Sequence, residues 1–365
     1  MLFRKKQYLS SSSLSALAWR RFRSNPLGMG SLIFIGIIFL IALAGYLITP
    51  DSTPFANDQH LELGLKKPGF RTGFIMIPRD PAPLPQSFLK TMLTGKERSE
   101  NAFPVMNGYV DLPAKGGLSV HMTTREALTS NPQARYEEHT YRLGTDRFGR
   151  DVLSQLIIGS RVSLSVGFIS VLISLVIGIF IGSLGGFYGG RVDQVVMWLI
   201  NVIWSVPTLL LVIAITFALG KGFMQVFIAV GLTMWVEVAR VVRGQILGIR
   251  EKEYVEAGRA LGFSDFRLIF HHILPNVMGI VIVISAANFA SAILLEAGLS
   301  FLGMGVQPPV PSWGSMIKEN YQYIVLDYAY LAILPGVAIM LLVLSFMLIG
   351  NAIRDALDVR TSSSS

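Results

Sequence analysis

The chain has 365 residues, 52% of them hydrophobic and only 15% charged, where soluble domains carry about a quarter charged. It contains no cysteine, which excludes a disulfide framework and thiolate chemistry. The formal net charge of +8 is gathered between apolar runs, a pattern that orients a chain in a membrane and argues against nucleic acid as a partner.

Residues 1–27 read as a basic, serine-rich tail followed by an interfacial helix, in which Leu14, Leu17, Ala18, Trp19 and Phe22 alternate with Arg20, Arg21 and Arg23. A first transmembrane helix is expected over 28–48, roughly 30 Å at 1.5 Å per residue. Ala42, Leu43 and Ala44 mimic a signal-peptidase site, but the leader is too long and the apolar run exceeds a signal-peptide core. The span is therefore expected to be retained, with the amino terminus inside. Residues 49–161 form a long polar segment, placed outside by topology; within it, 77–135 shows weak periodicity and suits a lid, a docking site or a partly disordered loop. Asp146, Arg150 and Asp151 are expected to cap and ion-pair just outside the second span rather than to catalyse.

Residues 162–350 read as the transmembrane core. No charge interrupts Val162 to Gly190, which gives a second span ending in GSLGGFYGG. These glycines are expected to form a tight turn before Arg191 and Asp193; no Lys-Ser/Thr pair follows them, so a phosphate loop is excluded. A third span over Val195–Leu219 is expected to kink at Pro207, lining a cavity or serving packing alone. A loop at Lys221 leads to a fourth span over Phe223–Val242, with Glu237 and Arg240 at its inner end.

The loop 243–276 is charged and helix-prone. Over Glu251–Leu261, Tyr254, Ala257, Gly258 and Leu261 recur at helical spacing and are expected to share one small apolar face. Gly262 supplies a left-handed stop, Ser264 caps a second helix, and Pro275 is expected to help end it. Such a face suits a groove on another protein or, equally on pattern, a membrane surface. Arg243, Arg250, Lys252, Arg259 and Arg267 hold the loop inside.

A fifth span over Val277–Leu299 carries Glu296, whose charge would cost about 2.5–3.5 kcal/mol at bilayer centre and which must therefore face protein, a cavity or the interface. The proline-dense loop 305–317, with Pro308 and Trp313, reads as a rigid gate or re-entrant turn. A sixth span over Tyr328–Gly350, containing Pro335, returns the chain to an inner tail at 351–365.

The run EAGRALG, Glu256 to Gly262, followed by Leu274 and Pro275, resembles the EAA loop of ABC importer permeases. The longer string EYVEAGRALGFSDFRLIFHHILPN is similar to the dipeptide and oligopeptide branch, DppC/OppC type, as are LGTDRFGRDVLSQLIIGSRVSL, LLEAGLSFLGMG, GVQPPVPSWGSMI and IRDALDVR. The chain departs from the pattern in Gly258, where a second Ala is usual, and in His272. Residues 77–135 resemble the insertion of microcin-type peptide permeases.

The resemblance implies an all-α integral membrane protein with six transmembrane helices, the ABC type I importer permease fold, and a large extracytoplasmic insertion between helices 1 and 2. It implies a multi-pass protein of the bacterial inner membrane with both termini cytoplasmic, importing peptides by alternating access. Its partners would be a second permease subunit of DppB/OppB type, two cytoplasmic ABC ATPases, an extracytoplasmic substrate-binding protein and membrane lipid. ATPase coupling would fall to Tyr254, Glu256, Ala257, Gly258, Leu261, Gly262 and Pro275. Glu296, Pro308 and Trp313 would belong to the pathway or gate, Glu296 either attracting a peptide amino group or hydrogen-bonding between helices.

No cofactor, metal or catalytic residue is expected, and ATP hydrolysis is assigned to separate subunits: the Gly220-Lys221 pair is followed by glycine and is not a Walker A sequence. An ion-coupled secondary transporter is the alternative, opposed by the near absence of charge within the spans. A membrane-embedded enzyme is opposed by histidines that all fall in expected loops and by the absence of HExxH and GxSxG strings.

Overall fold

The computed structural model describes residues 14–81, 83, 86–113, 119–220 and 222–358. The serine-rich tail, the loop at Lys221, and Val359 and Arg360 of the closing motif lie outside the described residues. Helix α1 (Leu14–Ser24) carries the arginines of the expected interfacial helix. Helix α2 (Pro26–Ile48) starts where Asn25 accepts from the backbone N–H groups of Leu27 and Gly28, with Pro26 in the first turn, where its missing N–H costs nothing.

The segment between α2 and the next apolar helix is not helical throughout, a correction to the all-α expectation. It contains β1 (Phe70–Pro78), α3 (Phe88–Thr94), β2 (Glu100–Pro104), β3 (Tyr109–Pro113), β4 (Ser119–Thr123), α4 (Thr124–Ser130) and β5 (Arg135–Tyr141). The antiparallel order is β2-β1-β5, with Phe74 opposite Pro104 and Glu137, and β3 pairs separately with β4. Strand β1 is central and buries both faces. Ile75 packs with Val110, Leu112 and Ala127, while Phe74, pointing the other way, packs with Leu63 and Tyr141. Burial on both faces removes the alternation that marks a strand in sequence.

Helix α5 (Val152–Tyr188) begins ten residues before the expected second span. Asp151 caps it, accepting from the Ser154 N–H at 2.8 Å. Arg161 does not end the helix, because its guanidinium donates to the carbonyls of Ala42 at 2.6 Å and Met92 at 2.8 Å. The expected glycine turn is also corrected. Gly182 and Gly186 lie inside α5, where an added Cβ would stand 2.5 Å from the Ala239 carbonyl and 2.8 Å from Ile246. These glycines let α5 approach α8 (Phe223–Ile249), and only Gly189 and Gly190 form the turn.

Between them, the kink expected at Pro207 is a break: α6 (Gly190–Trp204) and α7 (Thr208–Leu219) meet at 89°. After α9 (Glu253–Ala260) and α10 (Asp265–Arg267), a wide helical turn over Leu268–Ile273 runs directly into α11 (Leu274–Phe301). Helix α12 (Trp313–Asn320) and α13 (Tyr330–Leu357) complete the chain, and α13 continues past Gly350 into the expected tail. Among the described residues, five helices are long and apolar enough to cross a membrane, or six if α6 and α7 count as one span.

Candidate functional site

The EAA-like segment forms a knob of two short helices. Gly262 adopts φ +78°, the left-handed conformation expected of it, and its N–H donates to the Arg259 carbonyl at 2.9 Å. Ser264 caps α10, accepting from the Arg267 N–H at 3.4 Å. Pro275 does not end the second helix. The wide turn over Leu268–Ile273 precedes it, so the proline sits in the first turn of α11 and the helical path continues to Phe301.

The shared face expected for α9 is divided. Gly258 turns inward with Val255, whereas Tyr254 is 47% and Leu261 74% exposed, and Glu256 and Ala257 are exposed beside them. Val255, Leu268 and Ile273 are fully buried against Phe187 of α5 and Val242 and Ile246 of α8. The knob is thus anchored to α5, α8 and α11 at once. Its free surface gains two aromatic residues absent from the expected set, Phe266 and Phe270, with ring centroids 4.4 Å apart. Their i, i+4 spacing was the available signal, partly hidden because α10 and the wide turn divide them between two elements. A cleft of about 410 Å³ beside the knob is lined by Tyr188, Arg250, Glu256, Arg259 and Asp265, giving it both charge signs.

Glu296 is fully buried on α11. Its Oε1 accepts from the Ser300 hydroxyl at 2.7 Å, and Ser300 lies 3.3 Å from the Ser312 hydroxyl. The second carboxyl oxygen has no hydrogen-bond partner among the described residues. Trp313 is also buried, donating from Nε1 to the Leu156 carbonyl at 2.9 Å and thereby pinning α12 to α5. Pro308 stays exposed on the rim of a cleft of about 290 Å³ that also includes Ser300, Lys318 and Glu319. The structure therefore joins Glu296, through Ser300, to the start of α12, and Ser300 also lines the cleft that Pro308 borders.

Asp146, Arg150 and Asp151 take the capping and pairing geometry expected of them. Arg150 pairs with Asp146 at 2.6 Å and also with Glu319, just before the end of α12. Burial alone would lower the Arg150 pKa, but the two carboxylates raise it above its usual value. Contrary to expectation, His121 and His139 sit in strands and His271 and His272 in the wide turn. Among the described residues, no three His, Asp or Glu residues converge as metal ligands.

Helices long and apolar enough to cross a membrane, three of them packed against an exposed helical knob, define a polytopic membrane protein. A family model described as the binding-protein-dependent transport system inner membrane component matches residues 174–363, and one for the N-terminal transmembrane domain of oligopeptide transport permease C matches residues 13–68. The chain belongs to the family of binding-protein-dependent transport system inner membrane components. It is 37% identical over 246 residues to the dipeptide transport system permease protein DppC of Alkalihalophilus pseudofirmus, covering 66% of this chain and 80% of that one. It is 39% identical over 215 residues to the oligopeptide transport system permease protein OppC of Bacillus subtilis, covering 59% and 70%. A DppC of Lactococcus lactis subsp. cremoris aligns across 94% of this chain and 90% of its own length at 30% identity.

Proposed function

We propose that this chain is a permease subunit of an ATP-driven ABC importer for dipeptides, oligopeptides or related small peptides. The observation that carries the reading is the knob: an apolar surface with charges of both signs around Tyr254, Glu256 and Leu261, exposed in the single chain yet rooted in three spans. A pair of cytoplasmic ATPases closing on ATP would push the knob; the continuous path from Asp265 to Phe301 would carry that motion into the core. A second permease of DppB/OppB type would complete the pathway, and a substrate-binding protein would deliver peptide from outside. Both termini then lie in the cytoplasm, and the β-rich segment forms an extracytoplasmic insertion. Exposed Phe168, Val176, Phe180 and Trp198 suit contact with lipid or with the second permease. Glu296, hydrogen-bonded and closed off from solvent, supports packing of α11 against α12 more than contact with substrate.

Family membership and the knob do not favour an ion-coupled secondary transporter. The test is Gly262→Asp in the assembled importer: it should reach the membrane normally while peptide uptake falls. Wild-type uptake by that variant would remove the coupling role.

A further inference from the structure

Where the β-rich segment meets the start of α5, a cavity of about 110 Å³ lies between β1, β5 and the chain around Asp51. It meets, at Asp58, Arg98 and Ala102, an open cleft of about 800 Å³ running along the same segment. Two carboxylates at the cavity are almost fully buried, Asp51 at 6% and Asp151 at 3% exposure. Among the described residues, the Asp51 carboxylate accepts from the backbone N–H groups of Thr53 at 2.9 Å and Asp58 at 3.1 Å and from no other donor. Asp151 uses Oδ2 to cap α5, and its Oδ1 has no hydrogen-bond partner among the described residues.

Among the described residues, neither carboxylate is paired with a cation, since Arg98 is turned to Asp58 at 2.6 Å. Two further lining groups are unused. Tyr141 is 4% exposed and its hydroxyl makes no hydrogen bond among the described residues, and the His139 ring, 4.6 Å from the Tyr141 ring, likewise finds no polar partner there. Among the lining side chains, the carboxylates of Asp51, Asp58, Glu137 and Asp151 outnumber the cation Arg98, in a space that is open at one end. The complement to such a lining is a compact cation with several N–H donors. A metal ion does not fit, because among the described residues no three ligand side chains converge.

We propose that this cavity binds an ammonium or guanidinium group of a peptide, which donates to Asp151 and Tyr141 with Asp51 beside it, while the rest of the peptide lies in the outer cleft. The proposal rests on the peptide-import reading and adds to it a substrate site outside the transmembrane core. It selects for positive charge, supplied either by a free amino terminus or by a Lys or Arg side chain.

The test uses the full-length chain in nanodiscs, titrated with trialanine, N-acetyl-trialanine, N-acetyl-Ala-Lys-Ala amide and putrescine. Trialanine should bind about tenfold or more tightly than its acetylated form, the range expected for charge-assisted hydrogen bonds. Binding by the acetylated lysine peptide would show that a side-chain cation also serves. Asp151→Asn, which keeps an equally good helix cap, should weaken trialanine about tenfold, and Tyr141→Phe should weaken it by a smaller factor. Equal binding of free and acetylated trialanine, unchanged binding by Asp151→Asn, or binding of putrescine alone would overturn the proposal. ATP-driven trialanine uptake by the assembled importer is measured in parallel. Uptake without cavity binding removes this site alone, whereas failure to import any peptide removes the reading beneath it.

Discussion

Gly258 of α9 and Leu268, at the start of the wide turn, face one another within the knob: a Cβ on Gly258 would stand 2.8 Å from Leu268 Cδ2 and 3.3 Å from the Phe263 ring. The contact is with the end of a flexible side chain, and Ala gains about 1 kcal/mol over Gly in helix propensity. Gly258→Ala should therefore change thermal stability in detergent little and keep uptake. Gly258→Leu has no room and should lower both; a Leu variant with wild-type melting and uptake would show that the inward face of α9 is not held by this contact.

Leu261 makes the complementary case. At 74% exposure it contributes little to the fold of the isolated chain, so Leu261→Ser should shift stability by no more than about 0.5 kcal/mol. Recovery of ATPase with the purified variant should nevertheless fall. Unchanged ATPase recovery, quantified by mass spectrometry, would place the docking surface elsewhere.

Arg150 ties the start of α5 to α12 through Asp146 and Glu319; Arg150 and Asp146 are buried and Glu319 is partly buried. Removing one partner of a buried ion pair costs about 3–5 kcal/mol, because the opposite charge is left stranded. Arg150→Ala should lower the melting temperature more than any knob substitution, as read by tryptophan fluorescence in detergent. A smaller loss than that of Leu261→Ser would contradict the pairing.

Two carboxylates beside the cavity should respond to pH with opposite sign. Burial alone would raise Asp58, but the His60 hydrogen bond and the Arg98 charge outweigh it and hold its carboxyl below the usual range. A depressed carboxylate adds stability above its unfolded pKa of about 3.9, and that stability is lost as pH falls through the folded value. Arg98→Ala should thus reduce stability at neutral pH and flatten the acid loss. Asp151 is raised, burial outweighing its bonds from Ser154, so its charged form penalises the fold and stability grows as pH falls through the folded value, levelling off below the unfolded one. At pH 7.5, Asp151→Asn should melt no lower than the native chain, while Asp151→Ala loses the cap, about 1 kcal/mol. Melting curves across pH decide both signs.

The sequence disclosed the spans because apolar runs long enough to cross a membrane have few other uses. It disclosed Gly262 and Ser264 because their conformations follow from local chemistry. What stayed hidden depended on distant partners. Arg161 looked like a boundary because its charge is visible and the carbonyls of Ala42 and Met92 that satisfy it are not. The glycines at 182 and 186 looked like a turn because only the approach of α8 explains them within a helix. Strand β1 shows no alternation because both of its faces are buried. Within the knob, the helical spacing of Tyr254, Ala257, Gly258 and Leu261 was legible, but the direction of Gly258 is set by Leu268.

Affinity purification of the full-length chain, compared with a variant lacking residues 251–261 and read by mass spectrometry, tests the central claim most directly. The account predicts that an ABC ATPase and a second permease co-purify with the native chain and that the ATPase is lost from the variant. A well-folded native chain that purifies alone and moves peptide under an ion gradient without ATP would contradict it.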